Sequence, residues 1–173
     1  APRLWKLRDA GGDGKADTRD TLHYGFGVHG GIRGHDLHGL RIGPDGKLYM
    51  SMGDRGFHIA DGKRVVSSPD TGGVLRCNLD GSDLEIFALG LRNSEDLIFD
   101  EYGNLFTCDN DSGVGDKCRI QYLVEGSDNG WRNAYQFIHL PRPRGMWNEE
   151  KQWQTAHKGQ PAFLLPAISH LTN

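Results

Sequence analysis

The sequence lacks several features that would place it at once. It has no long apolar run, since the longest, Ala162 to Leu165, is far short of the roughly 20 residues that span a bilayer. It has no basic excess either: 20 Lys and Arg stand against 23 Asp and Glu, for a formal net charge of -3. That balance gives no support for a nucleic-acid partner, which needs a clustered basic face. Neither CxxC nor CxxCH occurs, so neither a zinc ribbon nor an attached c-type haem is supported. No stretch before residue 140 carries a strong helical period with caps. There is no initiator Met and no signal peptide, and the last residues interrupt an apolar stretch. The natural chain is therefore expected to be longer.

Glycine is plentiful. The 25 glycines among 173 residues are about twice the usual share of roughly 7%, and many sit beside Asp or Asn. That is the composition of many short strands joined by tight turns. Cysteine is scarce: Cys77, Cys108 and Cys118. Cys108 and Cys118 flank a Gly/Asp-rich loop and form a disulfide if the protein is exported; otherwise the three are unrelated thiols. With that pair made, Cys77 is the odd, buried one.

An internal repeat organises the chain. Leu40-Arg41-Ile42-Gly43-Pro44-Asp45-Gly46-Lys47-Leu48-Tyr49 is matched 57 residues later by Leu97-Ile98-Phe99-Asp100-Glu101-Tyr102-Gly103-Asn104-Leu105-Phe106. Both read as strand, turn with Gly, strand, and the alternation gives one buried face per strand. A second kind of hairpin joins Val74–Cys77 to Leu84–Phe87 through Asp80-Gly81. Similar ones are expected at Leu4–Leu7 with Thr21–Tyr24, and from Ile120–Val124 into Gly126-Ser127-Asp128. Two hairpins per unit make a four-stranded antiparallel blade, so the fold class is all-β, a β-propeller. The single domain 1–173 divides into blade hairpins at about 4–25, 36–90 and 94–128. Residues 141–173, rich in Pro, form a long connection. The chain supplies about two and a half to three blades, a partial ring closed by the remainder of the propeller or by another copy. The competing architecture is a β-sandwich with Gly-rich turns.

Several motifs resemble the glucose/sorbosone dehydrogenase family, whose members use pyrroloquinoline quinone (PQQ) and Ca2+. Gly34-His35-Asp36-Leu37-His38-Gly39, running on to Gly53-Asp54, is similar to the family's His-containing blade. Gly90-Leu91-Arg92-Asn93 is similar to its G-x-R-N motif. Asp109–Asp116, followed by Gly126–Trp131, is similar to its metal loop and the Gly-Trp turn beyond. The resemblance is nearest to the exported, membrane-bound dehydrogenases of planctomycete-type bacteria and covers nearly the whole chain. It implies a periplasmic or secreted oxidoreductase acting on a sugar or small alcohol, with an electron acceptor such as a cytochrome.

The chemistry needs a base that is neutral near pH 7, which suits histidine, and an organic hydride acceptor, since no side chain can take a hydride. By position His35 matches the family's catalytic base, with His38 as the alternative. If both lie in a strand, three residues apart, they point to opposite faces and one lines the funnel. The resemblance gives Arg92 the charge on the reduced quinone, Asn93 a hydrogen bond to it, and Asp111 and Ser112 the Ca2+, with Asp116 bracing the loop. A solvated acidic turn is the other reading of that loop. One departure stands out: Ser94-Glu95-Asp96 follows Arg92-Asn93 where the family has Pro and Gly. Two carboxylates there repel an anionic cofactor unless Ca2+ or Arg92 compensates. A weaker second Ca2+ site is expected at Asp9, Asp13, Asp17 and Asp20. It follows the 12-residue loop pattern except for Gly11 at the third position and Asp20 for the bidentate Glu; a plain Asx/Gly turn is the alternative. Trp131, Trp147 and Trp153 either stack on sugars or fill gaps between blades. Two further functions remain open: a non-catalytic propeller binding a glycan or protein, and a lactonase-type propeller recruiting Asp54, Glu95 and Asp111 to a metal that activates water.

Overall fold

The computed structural model describes residues 2–27, 34–110 and 118–132, with the backbone of 169–170. Strands β1 (Arg3–Arg8) and β2 (Thr18–Tyr24) form an antiparallel hairpin. Strands β3 (Leu37–Ile42), β4 (Leu48–Met52), β7 (Gly72–Cys77) and β8 (Glu85–Leu91) form an antiparallel meander in the order β3-β4-β7-β8. Between β4 and β7 the chain makes a separate hairpin, β5 (Phe57–Asp61) with β6 (Arg64–Ser68). The second meander is β9 (Ser94–Phe99), β10 (Leu105–Asp109) and β11 (Arg119–Leu123). Each meander is a propeller blade, and the chain is part of a ring.

The repeat is borne out strand by strand. Leu37–Ile42 and Ser94–Phe99 are in equivalent places, as are Leu48–Met52 and Leu105–Asp109. Both turns depend on a glycine in the left-handed region, Gly46 at φ 78° and Gly103 at φ 85°. The third strands are not equally spaced: residues 53–71, which carry the β5–β6 hairpin, separate β4 from β7, whereas β11 begins at Arg119, soon after β10 ends at Asp109. That hairpin adds two strands to those expected from the sequence; Asp61-Gly62 between two apolar stretches is its turn signal.

Two expectations change. Strand β12 (Ser127–Asp128) does not return on β11 but pairs in parallel with β8, Ser127 beside Ala88 and Asp128 beside Leu89. Strand β13 (Ser169–His170), within the stretch read as a connection, pairs with the outer side of β11. It completes the four-stranded order β13-β11-β10-β9.

Strand β4 is buried on both faces, not one, because its blade has a neighbour on each side. Met50 and Met52 enter a cluster with Leu4, Phe26, Phe57, Ile59 and Leu75. Tyr49 points the other way, among Phe87, Leu97, Leu105 and Leu123. Its ring meets Phe87 and Phe99 edge-on at 5.3 and 5.0 Å, the offset that aromatic quadrupoles favour. Full burial of each such side chain is worth roughly 1.5–3 kcal/mol, so this double layer fixes the two blades against each other. Gly39 permits the approach: a Cβ there would lie 2.6 Å from Ser51 Oγ and 3.1 Å from Asp96 Cα on β9. Cys77 is buried in the first cluster, and burial pushes its thiol up to about 11.

The far face of the second blade carries exposed apolar residues. Ile98 is 65% exposed and Tyr122 38%, with Phe106 stacked on Tyr122 at 5.3 Å. The counterpart of Phe106 in the repeat is Tyr49, which is 4% exposed between two blades. No helix among the described residues is long and apolar enough to cross a membrane.

Candidate active site

The C-terminal ends of β4, β8 and β10 converge, and each delivers charged or amide side chains there. Beyond β4 comes Gly53-Asp54. A Cβ on Gly53 would meet the carbonyl oxygen of His35 at 2.5 Å and its Cα at 2.6 Å, so only glycine lets the two segments touch. His35 itself lies before β3 with φ 48°, an uncommon conformation for a residue with a side chain. The contact brings His35 Nδ1 to 2.8 Å from Asp54 Oδ1. Asp54 is 3% exposed, and its other oxygen accepts from Trp131 Nε1 at 3.0 Å. Its amide donates to the carbonyl of Arg92 at 2.7 Å.

This chain of contacts decides the histidine tautomer. The indole N–H can only donate, so Asp54 Oδ2 accepts, and a carboxylate at Asp54 accepts through Oδ1 as well. His35 then donates from Nδ1, and a neutral ring keeps its lone pair on Nε2. The His35 side chain is 15% exposed, enough to reach a small molecule at the surface. Trp131 is fully buried and is held by its own amide on the Gly90 carbonyl at 2.9 Å and by Thr71 Oγ1 on its carbonyl at 2.7 Å. A Cβ on Gly90 would lie 2.3 Å from Asp128 Oδ1 and 2.5 Å from the Gly130 amide. Gly90-Leu91-Arg92-Asn93 and Asp128-Asn129-Gly130-Trp131, far apart in sequence, are thus one packed unit. Of the three tryptophans, Trp131 fills a gap and positions Asp54; Trp147 and Trp153 lie outside the described residues.

Arg92 and Asn93 are aimed from below by Asp109. Its carboxylate accepts the Arg92 amide at 2.9 Å and the Asn93 amide at 2.7 Å, with Arg119 Nη2 at 3.9 Å. Burial pushes this carboxyl up, opposed by the two amides and the guanidinium. The Arg92 guanidinium donates to Asn110 Oδ1 at 2.8 Å and lies 5.6 Å over the Trp131 ring. Arg92 Nε and Asn93 Oδ1 are buried and make no hydrogen bond among the described residues. Such groups are costly unless satisfied. The oxygens of a quinone or its carboxylates suit the guanidinium, and a hydroxyl or ring N–H suits the amide oxygen. On donor chemistry these residues fit the quinone that the motifs imply.

His38 is placed differently. Because β3 begins at Leu37, the two histidines do not share a strand. His38 stands opposite Ser51 with Nε2 buried and unbonded among the described residues; the carboxylate belongs to His35 alone. The two carboxylates in the departure from the family are accounted for. Asp96 pairs with Arg41 Nη2 at 2.6 Å, and Glu95 accepts from Asn93 Nδ2 at 3.3 Å. Of the carboxylates that a metal-activated water would recruit, Asp54 is bonded to His35 and Trp131 and Glu95 to Asn93; Asp111 lies outside the described residues.

Asp111, Ser112 and Asp116 lie outside the described residues. At the N-terminal loop the carboxylates face their own backbone. Asp9 accepts from the Gly12 and Gly14 amides at 2.6 and 2.9 Å, and these bonds hold its carboxyl below the usual range. Asp17 accepts from Ala10 and Gly11, Asp13 from Lys15, and Asp20 lies in β2 opposite Lys6. Among the described residues no three His, Cys, Asp or Glu are grouped to hold a metal, and the Asp9, Asp13 and Asp17 carboxylates are bonded to the loop's own amides. Cys108 and Cys118 are not joined, yet burial, the nearby Cys118 and Asp109 together raise the Cys108 thiol.

The fold is that of a propeller, and these motifs are similar to those of quinoprotein sugar dehydrogenases. The chain is 28% identical to quinoprotein glucose dehydrogenase B of Acinetobacter calcoaceticus over an alignment of 147 residues, covering 68% of this chain and 30% of that protein. Its structure resembles the PQQ-bound form of aldose sugar dehydrogenase from Streptomyces coelicolor, with a TM-score of 0.53 and 19% identity over 91% of this chain and 41% of that one. The chain belongs to the family described as Domain of unknown function (DUF7133), which matches residues 1–158. It spans about a third of the length of the curated relative.

Proposed function

We propose that the protein is a PQQ- and Ca2+-dependent dehydrogenase oxidising an aldose or related alcohol, and that this chain carries its proton-accepting side. The observation behind the reading is the His35–Asp54–Trp131 chain of hydrogen bonds beside Arg92 and Asn93. A substrate hydroxyl at His35 Nε2 gives up its proton there, and Asp54 stabilises the imidazolium that forms. The quinone, when bound, accepts the hydride. Arg92 sets a fixed positive charge against the negative charge of reduction. Asn93 orients the same group, and the loop holding Asp111, Ser112 and Asp116 supplies oxygen ligands for Ca2+. Electrons leave to an acceptor such as a cytochrome, in the periplasm or outside the cell. Later blades of the whole protein close the site.

The test is aldose-dependent dye reduction by the whole protein carrying His35→Ala. The expected loss is about 10²–10⁴-fold, the usual worth of a positioned base, with cofactor still bound. An unchanged rate would remove His35 from the chemistry.

A further inference from the structure

Cys108 and Cys118 close the connection that leads out of the site, and nothing in the proton or hydride chemistry uses them. In the β10–β11 ladder Cys108 stands opposite Ile120, and Asp109 opposite Arg119. Cys118 is therefore offset by two from Ile120 and lies on the same face as Cys108, the period of a strand being two. Such diagonal neighbours have Cα atoms about 7–8 Å apart and Cβ atoms somewhat closer, while a disulfide needs about 4.4–6.8 Å. The difference is about 1 Å. The adjustment falls at Cys118, which precedes the first residue of β11. The two thiols already sense each other, since Cys118 helps raise the Cys108 thiol. Cys108 is exposed and Cys118 partly so, while Cys77 is buried in a different cluster. No other intramolecular pairing is open to the three.

We propose that Cys108 and Cys118 form a disulfide that staples the end of the β10–β11 ladder. The rung beside it is Asp109 opposite Arg119. Asp109 holds the amides of Arg92 and Asn93, so the bond stiffens the support beneath the two residues aimed at the cofactor. It also encloses residues 109–117 in a covalent loop, the stretch expected to bind Ca2+. Formation is a two-electron exchange. The thiolate of one cysteine attacks the disulfide of an oxidant such as oxidised glutathione, and the second attacks the resulting mixed disulfide and displaces glutathione from it. One S–S bond forms in the protein, one is broken in the oxidant, and the two protons and two electrons leave on two glutathione thiols. The bond forms whether or not a quinone binds.

The whole protein is equilibrated with equal oxidised and reduced glutathione, quenched by alkylation and mapped by mass spectrometry. The expected result is one linked pair of peptides carrying Cys108 and Cys118, with Cys77 alkylated only after unfolding. Recovery of both as alkylated thiols, or each as a glutathione adduct, overturns the proposal. A second measurement reads the clamp itself. Without reductant the protein melts above its Cys108→Ala/Cys118→Ala variant, and the gap closes when dithiothreitol is added. Equal melting in both buffers would mean that the bond, if made, supports nothing.

Discussion

Asp54→Asn is nearly isosteric, yet the geometry predicts that it inverts the histidine. In the native site both carboxylate oxygens accept, one from His35 Nδ1 at 2.8 Å and one from Trp131 Nε1 at 3.0 Å. An asparagine has one acceptor and one donor end. The buried indole N–H can only donate, so the amide oxygen must turn to Trp131 and the NH2 to His35. His35 Nδ1 then becomes the acceptor, its proton moves to Nε2, and the lone pair that takes the substrate proton is lost. The opposite orientation leaves the indole N–H buried against an NH2, at a cost of about 1–3 kcal/mol. That bias favours the inactive tautomer by roughly 5- to 150-fold, to which the loss of the carboxylate behind the imidazolium adds. The rate of dye-linked aldose oxidation should fall by about 10²–10⁴-fold, while the melting temperature changes little. Trp131→Phe removes the N–H that forces the orientation. In that background Asp54→Asn should therefore cost less, by up to the same bias. Nitrogen-15 shifts of the His35 ring read the tautomer directly. An Nδ1–H tautomer in the Asp54→Asn variant, or an equal rate penalty with and without Trp131, would refute the reasoning.

Two further outcomes follow from the packing. Gly53→Ala should lower activity more than stability, because its Cβ would sit 2.5 Å from His35 backbone atoms and push the histidine away from Asp54; a variant with normal kcat and KM would show that the close approach is not needed. In the whole protein Phe106→Ala should cost about 3–5 kcal/mol by denaturant unfolding, because the face of Ile98, Phe106 and Tyr122 is expected to be covered by the next blade as Tyr49 is covered here; a change below about 1 kcal/mol would mean that the face stays in water.

Much of the blade order was legible because it rests on local rules: Gly46 and Gly103 mark equivalent turns, and the flanking apolar residues alternate. What sequence could not show was which side chains meet. His35 and Asp54 lie in different segments and touch only because Gly53 and the left-handed His35 backbone allow it. Arg41 neutralises Asp96 across a blade interface, so two carboxylates that read as repulsive are partly compensated. Asp109 read as one end of an acidic loop, but it faces inward as the brace for Arg92 and Asn93. The parallel pairing of β12 with β8 is a contact between distant segments with no local signal. At the N-terminal loop the sequence leaves two readings open, because Asx turns use the same Asp and Gly spacing as a Ca2+ loop to bind their own amides.

The most direct test of the account is equilibrium binding of PQQ to the whole protein, with and without Ca2+, compared with its Arg92→Met variant. The account predicts Ca2+-dependent binding that the variant weakens by about tenfold or more, as a charge-assisted hydrogen bond of about 1.5–3 kcal/mol requires. Absence of PQQ binding by the folded whole protein, or equal binding by Arg92→Met, would contradict it.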